Sequence, residues 1–197
     1  EATAFVVVAS AAFVFAASRL STLCLVLAPV ALAIVFWYSL AKRFTTYTQM
    51  FLGLSLAIAP VGGWLAAGGG AGAEPWLLGL AIGLWVGGFD ILYACQDVDF
   101  DRKHGLRSIP ATFGVPAAIR LSRLMHLVTV IVMVSLWRVA NLPALYLVGV
   151  AIVAALLAYE QSLVSDEDLS QVKKAFDLNG WVGIVYFAAT ALAVYVG

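Results

Sequence analysis

The chain has 197 residues, of which 63% are hydrophobic and 11% charged, and its mean hydropathy is +1.01. Soluble domains carry about 25% charged residues, and a globule of this length has a large exterior to cover with polar groups, so the composition argues against a soluble enzyme, a disordered segment or a nucleic-acid binder. Eleven basic residues balance eleven acidic ones, so bulk charge selects no partner. The positions of the charges carry the information instead.

Seven apolar runs approach the roughly 17 to 25 residues that a helix needs to cross a bilayer. They cover about 2–18, 20–40, 48–67, 76–96, 115–137, 142–160 and 178–196. The expected fold is therefore all-α, a multi-spanning transmembrane helix bundle forming one integral-membrane domain over 1–197. Pro60 interrupts the third run, at a place where packing can tolerate a kink. No secretory signal is evident at the start, which has neither a basic segment nor a cleavage site. Cys24 and Cys95 both fall inside apolar runs, read as small core hydrophobes, and cannot form a disulfide framework.

The basic residues divide unevenly between alternate connections. Lys42 and Arg43, then Arg102, Lys103 and Arg107, then Lys173 and Lys174 fall on one side, with Arg120 and Arg123 close by. The other side has Arg19 and Arg138. The positive-inside rule assigns the rich side to the cytoplasm, giving a multi-pass protein of the cytoplasmic (inner) membrane. Trp64, Trp76 and Trp137 then mark the outer interface, and Trp37, Tyr38 and Trp181 the inner one. The glycine-rich stretch 68–72 lies outside, lacks a following Lys-Ser/Thr, and reads as a linker and not a phosphate cradle.

Asp90, Asp97, Asp99 and Asp101 crowd into twelve residues on the cytoplasmic side. Asp97 and Asp101 are spaced i, i+4, so helical continuation would align them one turn apart. Asp90, two turns earlier on nearly the same face, sits within an apolar run, where a carboxylate is costly and points to function. Asp99 points elsewhere, toward solvent. Like charges at i, i+4 repel, and a divalent cation would reward the arrangement: Mg²⁺ takes one or two carboxylates and completes its shell with water and phosphate oxygens. The competing explanation is a charged helix end in which Arg102, Lys103 or Arg107 answers the carboxylates. Lys42 and Arg43 share the same side, either as positive-inside anchors or as ligands for diphosphate, Arg as a planar fork and Lys as a point charge. His104 reads as a solvated loop histidine, with a general base as the alternative, and His126 as packed or interfacial.

At these residues the sequence resembles the UbiA-type intramembrane prenyltransferase family. The pattern Asp90-x2-Tyr93-Ala94-x2-Asp97-x3-Asp101, continued by Lys103-His104-Gly105-Leu106-Arg107-Ser108 and Phe113-Gly114, is similar to that family's second aspartate-rich motif. Tyr38-x3-Lys42-Arg43-Phe44-Thr45, with Gln49 and Leu52-Gly53, resembles the tyrosine-lysine-arginine loop of its 4-hydroxybenzoate polyprenyltransferase branch. Phe176-x2-Asn179-x-Trp181-Val182-Gly183 resembles the C-terminal motif.

The resemblance implies about seven helices of a nine-helix fold around a central cavity. It also implies transfer of a polyprenyl group from polyprenyl diphosphate to an aromatic acceptor such as 4-hydroxybenzoate, in ubiquinone-type quinone biosynthesis. The expected cofactor is Mg²⁺, held by Asp97 and Asp101. Lys42 and Arg43 join these as catalytic candidates, and Tyr38, Asp90, Tyr93, Arg107 and Asn179 are candidates for substrate binding. The family's first aspartate motif is not seen and the chain opens on Glu1 without Met, so the expectation is a chain lacking two N-terminal helices and, alone, lacking activity. The alternatives are a related aromatic acid of menaquinone synthesis as acceptor and, in another class, an ion-coupled transporter using Asp90. A retinal protein is disfavoured because the last span has no Lys, and a CDP-alcohol phosphotransferase because its longer aspartate motif is missing.

Overall fold

The structure, a computed structural model, describes residues 1–196. Among them every regular element is helical: α1 (Ala2–Leu20), α2 (Thr22–Ala41), α3 (Thr48–Ala66), α4 (Glu74–Ala94), α5 (Val98–Lys103), α6 (Ile109–Phe113), α7 (Val115–Val139), α8 (Leu145–Ser162) and α9 (Val172–Val196). All but α6 belong to the seven segments long and apolar enough to cross a membrane, the fourth of which, Glu74–Lys103, runs on from α4 through α5; in a bilayer a helix keeps its backbone polar groups satisfied internally. The chain is a multi-pass membrane protein. The seven long helices follow the apolar runs closely except at the last, which begins six residues before the apolar run. Its first turns carry Lys173, Lys174 and Asp177, polar at the helix surface and joined by a 3.0 Å Lys173–Asp177 pair at i, i+4.

The helices differ in how much they bury. In α1 only Ala17 is buried, and in α2 only Ala28 and Ala41, whereas α4 and α7 each bury nine residues. The centre of the bundle is therefore α4, flanked by α3, α7 and α9. Small residues allow this closeness, as expected where lipid supplies no hydrophobic drive between helices. A Cβ at Gly53 of α3 would run into the Gly83 carbonyl oxygen of α4, and one at Gly88 would run into the His126 ring of α7.

Polar side chains tie the same helices together. Ser122 Oγ donates to Gly88 O at 2.7 Å, and Gln161 Nε2 of α8 donates to Ser122 Oγ at 2.8 Å and to His126 Nδ1 at 3.0 Å. His126 Nε2 faces Trp85 O at 3.2 Å, so its proton resides on Nε2, the one nitrogen facing a pure acceptor. His126 is a packed residue, as its place within a span implies.

Two apolar grooves lie among the first four helices. The one among α1, α2 and α3 has a volume of 730 Å³, and the one among α2, α3 and α4 has 630 Å³.

Candidate functional site

The polar loops meet at one end of the bundle. After Ala94, a 3-10 turn over Cys95–Asp97 interrupts the α ladder before α5 resumes at Val98. The continuous helix expected through Asp97 and Asp101 is thus broken, where the apolar run gives way to consecutive polar residues. Helix α5 ends in a Schellman turn: Leu106 N–H donates to Asp101 O at 2.8 Å, Gly105 N–H donates to Arg102 O at 3.3 Å, and Gly105 takes φ +65°, the left-handed position that favours glycine. The reversal returns the chain so that Ser108 lies beside Asp101.

Asp101 is fully buried and multiply bonded. Lys42 Nζ, at the end of α2, stands 3.2 Å from its Oδ1 and 3.3 Å from its Oδ2, and Ser108 Oγ donates to Oδ2 at 2.8 Å. The same ammonium lies 3.8 Å from Asp97 Oδ2, and the Asp97 side chain is 43% exposed. Lys42 therefore bridges the two carboxylates, the role that the competing explanation of a charged helix end gives to Arg102, Lys103 or Arg107. Arg102 instead donates to Ala111 O at 3.1 Å, Arg107 donates to Phe44 O at 3.0 Å, and Lys103 is exposed. Asp90, half-buried on α4, lies within electrostatic reach of Lys42, Asp97 and Tyr38. Tyr38 sits one turn before Lys42 on α2. Arg43 and Asp99 are exposed, and His104 is exposed with its ring stacked on Phe100.

The basic loop and the acidic segment are fastened to each other. Arg107 N–H donates to Lys42 O at 2.9 Å, Ile109 N–H donates to Gln49 Oε1 at 3.3 Å, and the Thr46 and Thr112 hydroxyls are 3.3 Å apart. Two distant stretches of sequence thereby form one rim holding Lys42, Asp97 and Asp101.

The α9 residues adjoin this rim through aromatic packing. Tyr93 and Phe176 have ring centroids 4.6 Å apart, and Phe176 meets Phe89 edge-on at 5.5 Å. Asn179 is buried with its amide engaged: Trp85 Nε1 donates to Oδ1 at 2.7 Å, and Nδ2 donates to Ala175 O and Phe176 O. Of the residues singled out in the sequence, Lys42, Asp97, Asp101, Asp90 and Tyr38 form one cluster. Arg107 and Asn179 hold framework contacts, and Arg43 is exposed next to Lys42. Trp85 carries no motif signal in the sequence, and the buried Ser108 shows there only as the end of the acidic motif.

The donor set suits a hard divalent ion. Two carboxylates, one of them open, match the one or two that Mg²⁺ takes when phosphate oxygens and water complete its shell. Among the described residues no group of three or more His, Cys, Asp or Glu could enclose an ion.

The fold and rim define an integral-membrane helical bundle with an acidic site and a basic bridge at one membrane surface. The description of the UbiA prenyltransferase family matches residues 1–194, and the chain belongs to that family. Proteins named 4-hydroxybenzoate octaprenyltransferase resemble it. The one from Marinobacter nauticus is 33% identical over 81% of this chain and 54% of its own length. The one from Alkalilimnicola ehrlichii is 32% identical, covering 90% and 60%, and the one from Vibrio cholerae is 31% identical, covering 97% and 66%. The chain thus spans 54 to 66% of the length of these curated relatives. The apo structure of a UbiA homolog from Aeropyrum pernix K1 superposes with a TM-score of 0.88 at 35% identity, over 98% of this chain and 72% of that one. A digeranylgeranylglyceryl phosphate synthase shares the fold, with a TM-score of 0.75 at 18% identity over 98% and 69%.

Proposed function

We propose that the protein of which residues 1–197 form one membrane domain transfers a polyprenyl group from polyprenyl diphosphate to 4-hydroxybenzoate. The observation that carries this reading is the Lys42 ammonium bridging Asp97 and Asp101 at the end of an apolar bundle. The shared name of the relatives supports the acceptor and an octaprenyl donor over the related acid of menaquinone synthesis. An ion-coupled transporter would use Asp90 but has no need of the fastened basic and acidic rim.

Asp97 and Asp101 are the residues that would hold Mg²⁺, which when bound supplies positive charge to the departing diphosphate. Lys42 and Arg43 bind diphosphate oxygens, and charge placed where charge develops is usually the largest catalytic term. The bond between the allylic carbon and the diphosphate oxygen breaks, and the electron pair leaves with the diphosphate. The acceptor ring attacks the allylic cation, a carbon–carbon bond forms, and the ring loses a proton. Tyr38, Asp90 and Tyr93 border the acceptor. Arg107 and Asn179 act through the framework, Arg107 by holding the basic loop and Asn179 by setting α9 against α4.

The apolar groove lined by Leu27, Ile34, Leu54, Val61, Leu84 and Met125 suits the prenyl tail, and apolar walls keep water from the cation. The partners are thus the two substrates and the lipid bilayer, with the site on the cytoplasmic face of the inner membrane. Radiolabelled prenyl transfer, in membranes containing the protein expressed from its complete gene, tests the reading. Transfer to 4-hydroxybenzoate that requires Mg²⁺ is expected, and no transfer to any aromatic acid would overturn it.

A further inference from the structure

We propose that Ser108 is a positioning residue for the prenyl-transfer site, holding the Asp101 carboxylate, and through it Lys42, in working orientation. The proposal rests on the function set out above and adds a residue to it. Ser108 and Asp101 are both fully buried, and the hydroxyl donates its single proton to Asp101 Oδ2 at 2.8 Å. Its oxygen also accepts Ala111 N–H at 3.3 Å, capping α6. The hydroxyl is thereby oriented from two sides.

The backbone around Ser108 is fixed as well. Arg107 N–H is bound to Lys42 O, and Ile109 N–H to Gln49 Oε1. Ser108 is therefore clamped between two contacts to the basic loop, one of them at the residue whose ammonium meets the same carboxylate. Lys42 leans on both oxygens of Asp101 at 3.2 and 3.3 Å, and its side chain is 35% exposed, so it alone does not fix the plane of the carboxylate. Ser108, shorter and buried, does. A hydrogen bond to a charged group is stronger than one between neutral groups, and here it falls on a group that would bind the metal.

The two roles of Ser108 separate by substitution. Gly is tolerated at an N-cap almost as well as Ser, so Ser108→Gly removes the donor while nearly preserving the cap. Ser108→Ala removes both, and Ser108→Thr keeps both. Each variant of the protein, expressed from its complete gene, would be assayed in membranes for the Mg²⁺ concentration giving half-maximal prenyl transfer and for turnover per folded protein. Mn²⁺ binding would be followed by electron paramagnetic resonance with inorganic diphosphate present and no acceptor.

Ser108→Gly is expected to raise the half-maximal Mg²⁺ and weaken Mn²⁺ binding by about tenfold, and to lower the thermal midpoint as well, because the buried Asp101 carboxylate loses a hydrogen bond. Ser108→Thr should restore both. A purely structural Ser108 would lower the thermal midpoint and leave metal requirement per folded protein unchanged, and that result in both the Gly and Ala variants overturns the proposal. Wild-type protein that binds no Mn²⁺ with diphosphate would instead overturn the metal–diphosphate reading itself, and this assignment with it.

Discussion

The Lys42 ammonium lies 3.2 Å from Asp101 and 3.8 Å from Asp97, although Lys42 and Asp101 are 59 residues apart in sequence. The two partners are unequally placed, because Lys42 can turn part of its side chain to solvent while Asp101 cannot. Removing the cation strands a buried carboxylate, which is the costly way to break such a pair. Lys42→Met should therefore destabilise the detergent-solubilised protein by about 1 to 3 kcal/mol, discounted for the exposure of Lys42. Asp101→Asn should cost less. Thermal unfolding of both variants and of Lys42→Met/Asp101→Asn checks the order, and the double variant should recover part of the Lys42→Met loss.

Asp97 contributes little to packing, since its side chain is 43% exposed and its one ion pair is long. Its value lies in what it can reach. Asp97→Asn should leave the thermal midpoint unchanged and cost about 10²-fold in turnover, as losses of charge-stabilising groups do. Asp99→Asn, at an exposed position two residues on in α5, is the matched control and should retain turnover. Equal losses in the two variants would mean that general charge at the surface matters, not the position of Asp97.

Much of this arrangement could be read from the sequence, and the rest fails for definite reasons. The lengths of the apolar runs delimit the spans because the bilayer thickness is fixed. The start of α9 escapes that rule, since Lys173, Lys174 and Asp177 are helical yet polar. The acidic motif and the basic loop are legible as sites because carboxylates and cations are scarce in this composition. Their pairing is not legible, because proximity in sequence favours Arg102, Lys103 and Arg107 over Lys42. The 3-10 turn at Cys95–Asp97 hides for a related reason, as i, i+4 spacing presumes a continuous helix. Glu160, wholly buried on α8 beside Asn179 and without a well-formed hydrogen bond, shows in the sequence only as an acid at the end of the sixth apolar run, the same kind of signal that marks Asp90.

The contact of α3 with α4 depends on missing side chains. A Cβ at Gly53 would collide with a backbone carbonyl of α4, while one at Gly62 would meet nothing within 4 Å. Backbone cannot swing aside as a flexible side chain can, so Gly53→Ala should cost about 1 to 3 kcal/mol through overpacking. Gly62→Ala should be neutral or slightly stabilising, since Ala is the better helix former. Thermal midpoints in one detergent compare them, and equal midpoints would contradict the close approach.

Gln161 couples α8 to α7 through His126 and Ser122, which in turn reach carbonyls of α4, so deletions within this set should not add. His126→Phe leaves Gln161 without one acceptor, and Gln161→Leu leaves His126 Nδ1 bare. Once either partner has gone, losing the other costs less. A double-mutant cycle on unfolding free energy should show a coupling of about 0.5 to 3 kcal/mol. Strict additivity would mean that the 3.0 Å contact carries no energy.

Asn179 offers the sharpest choice between a substrate ligand and a framework residue. Its oxygen accepts the Trp85 indole N–H, and its nitrogen donates back to carbonyls of its own helix. Its amide is thus committed within the protein, and its helix carries Phe176 against Tyr93 beside the acidic rim. Trp85→Phe removes the indole donor and should leave the Asn179 oxygen buried without a partner, costing about 1 to 3 kcal/mol. Asn179→Ala should cost a similar amount, and the two losses should be strongly non-additive because each breaks the same bond. If Asn179 acts only through the framework, Trp85→Phe should reproduce its kinetic effect, with acceptor KM in both variants moving in parallel with the loss of stability. A ligand role predicts a different pair of results: Asn179→Ala raises the acceptor KM, and Trp85→Phe leaves it unchanged. Thermal midpoints and acceptor titrations on the two single variants and the double variant therefore distinguish the two assignments.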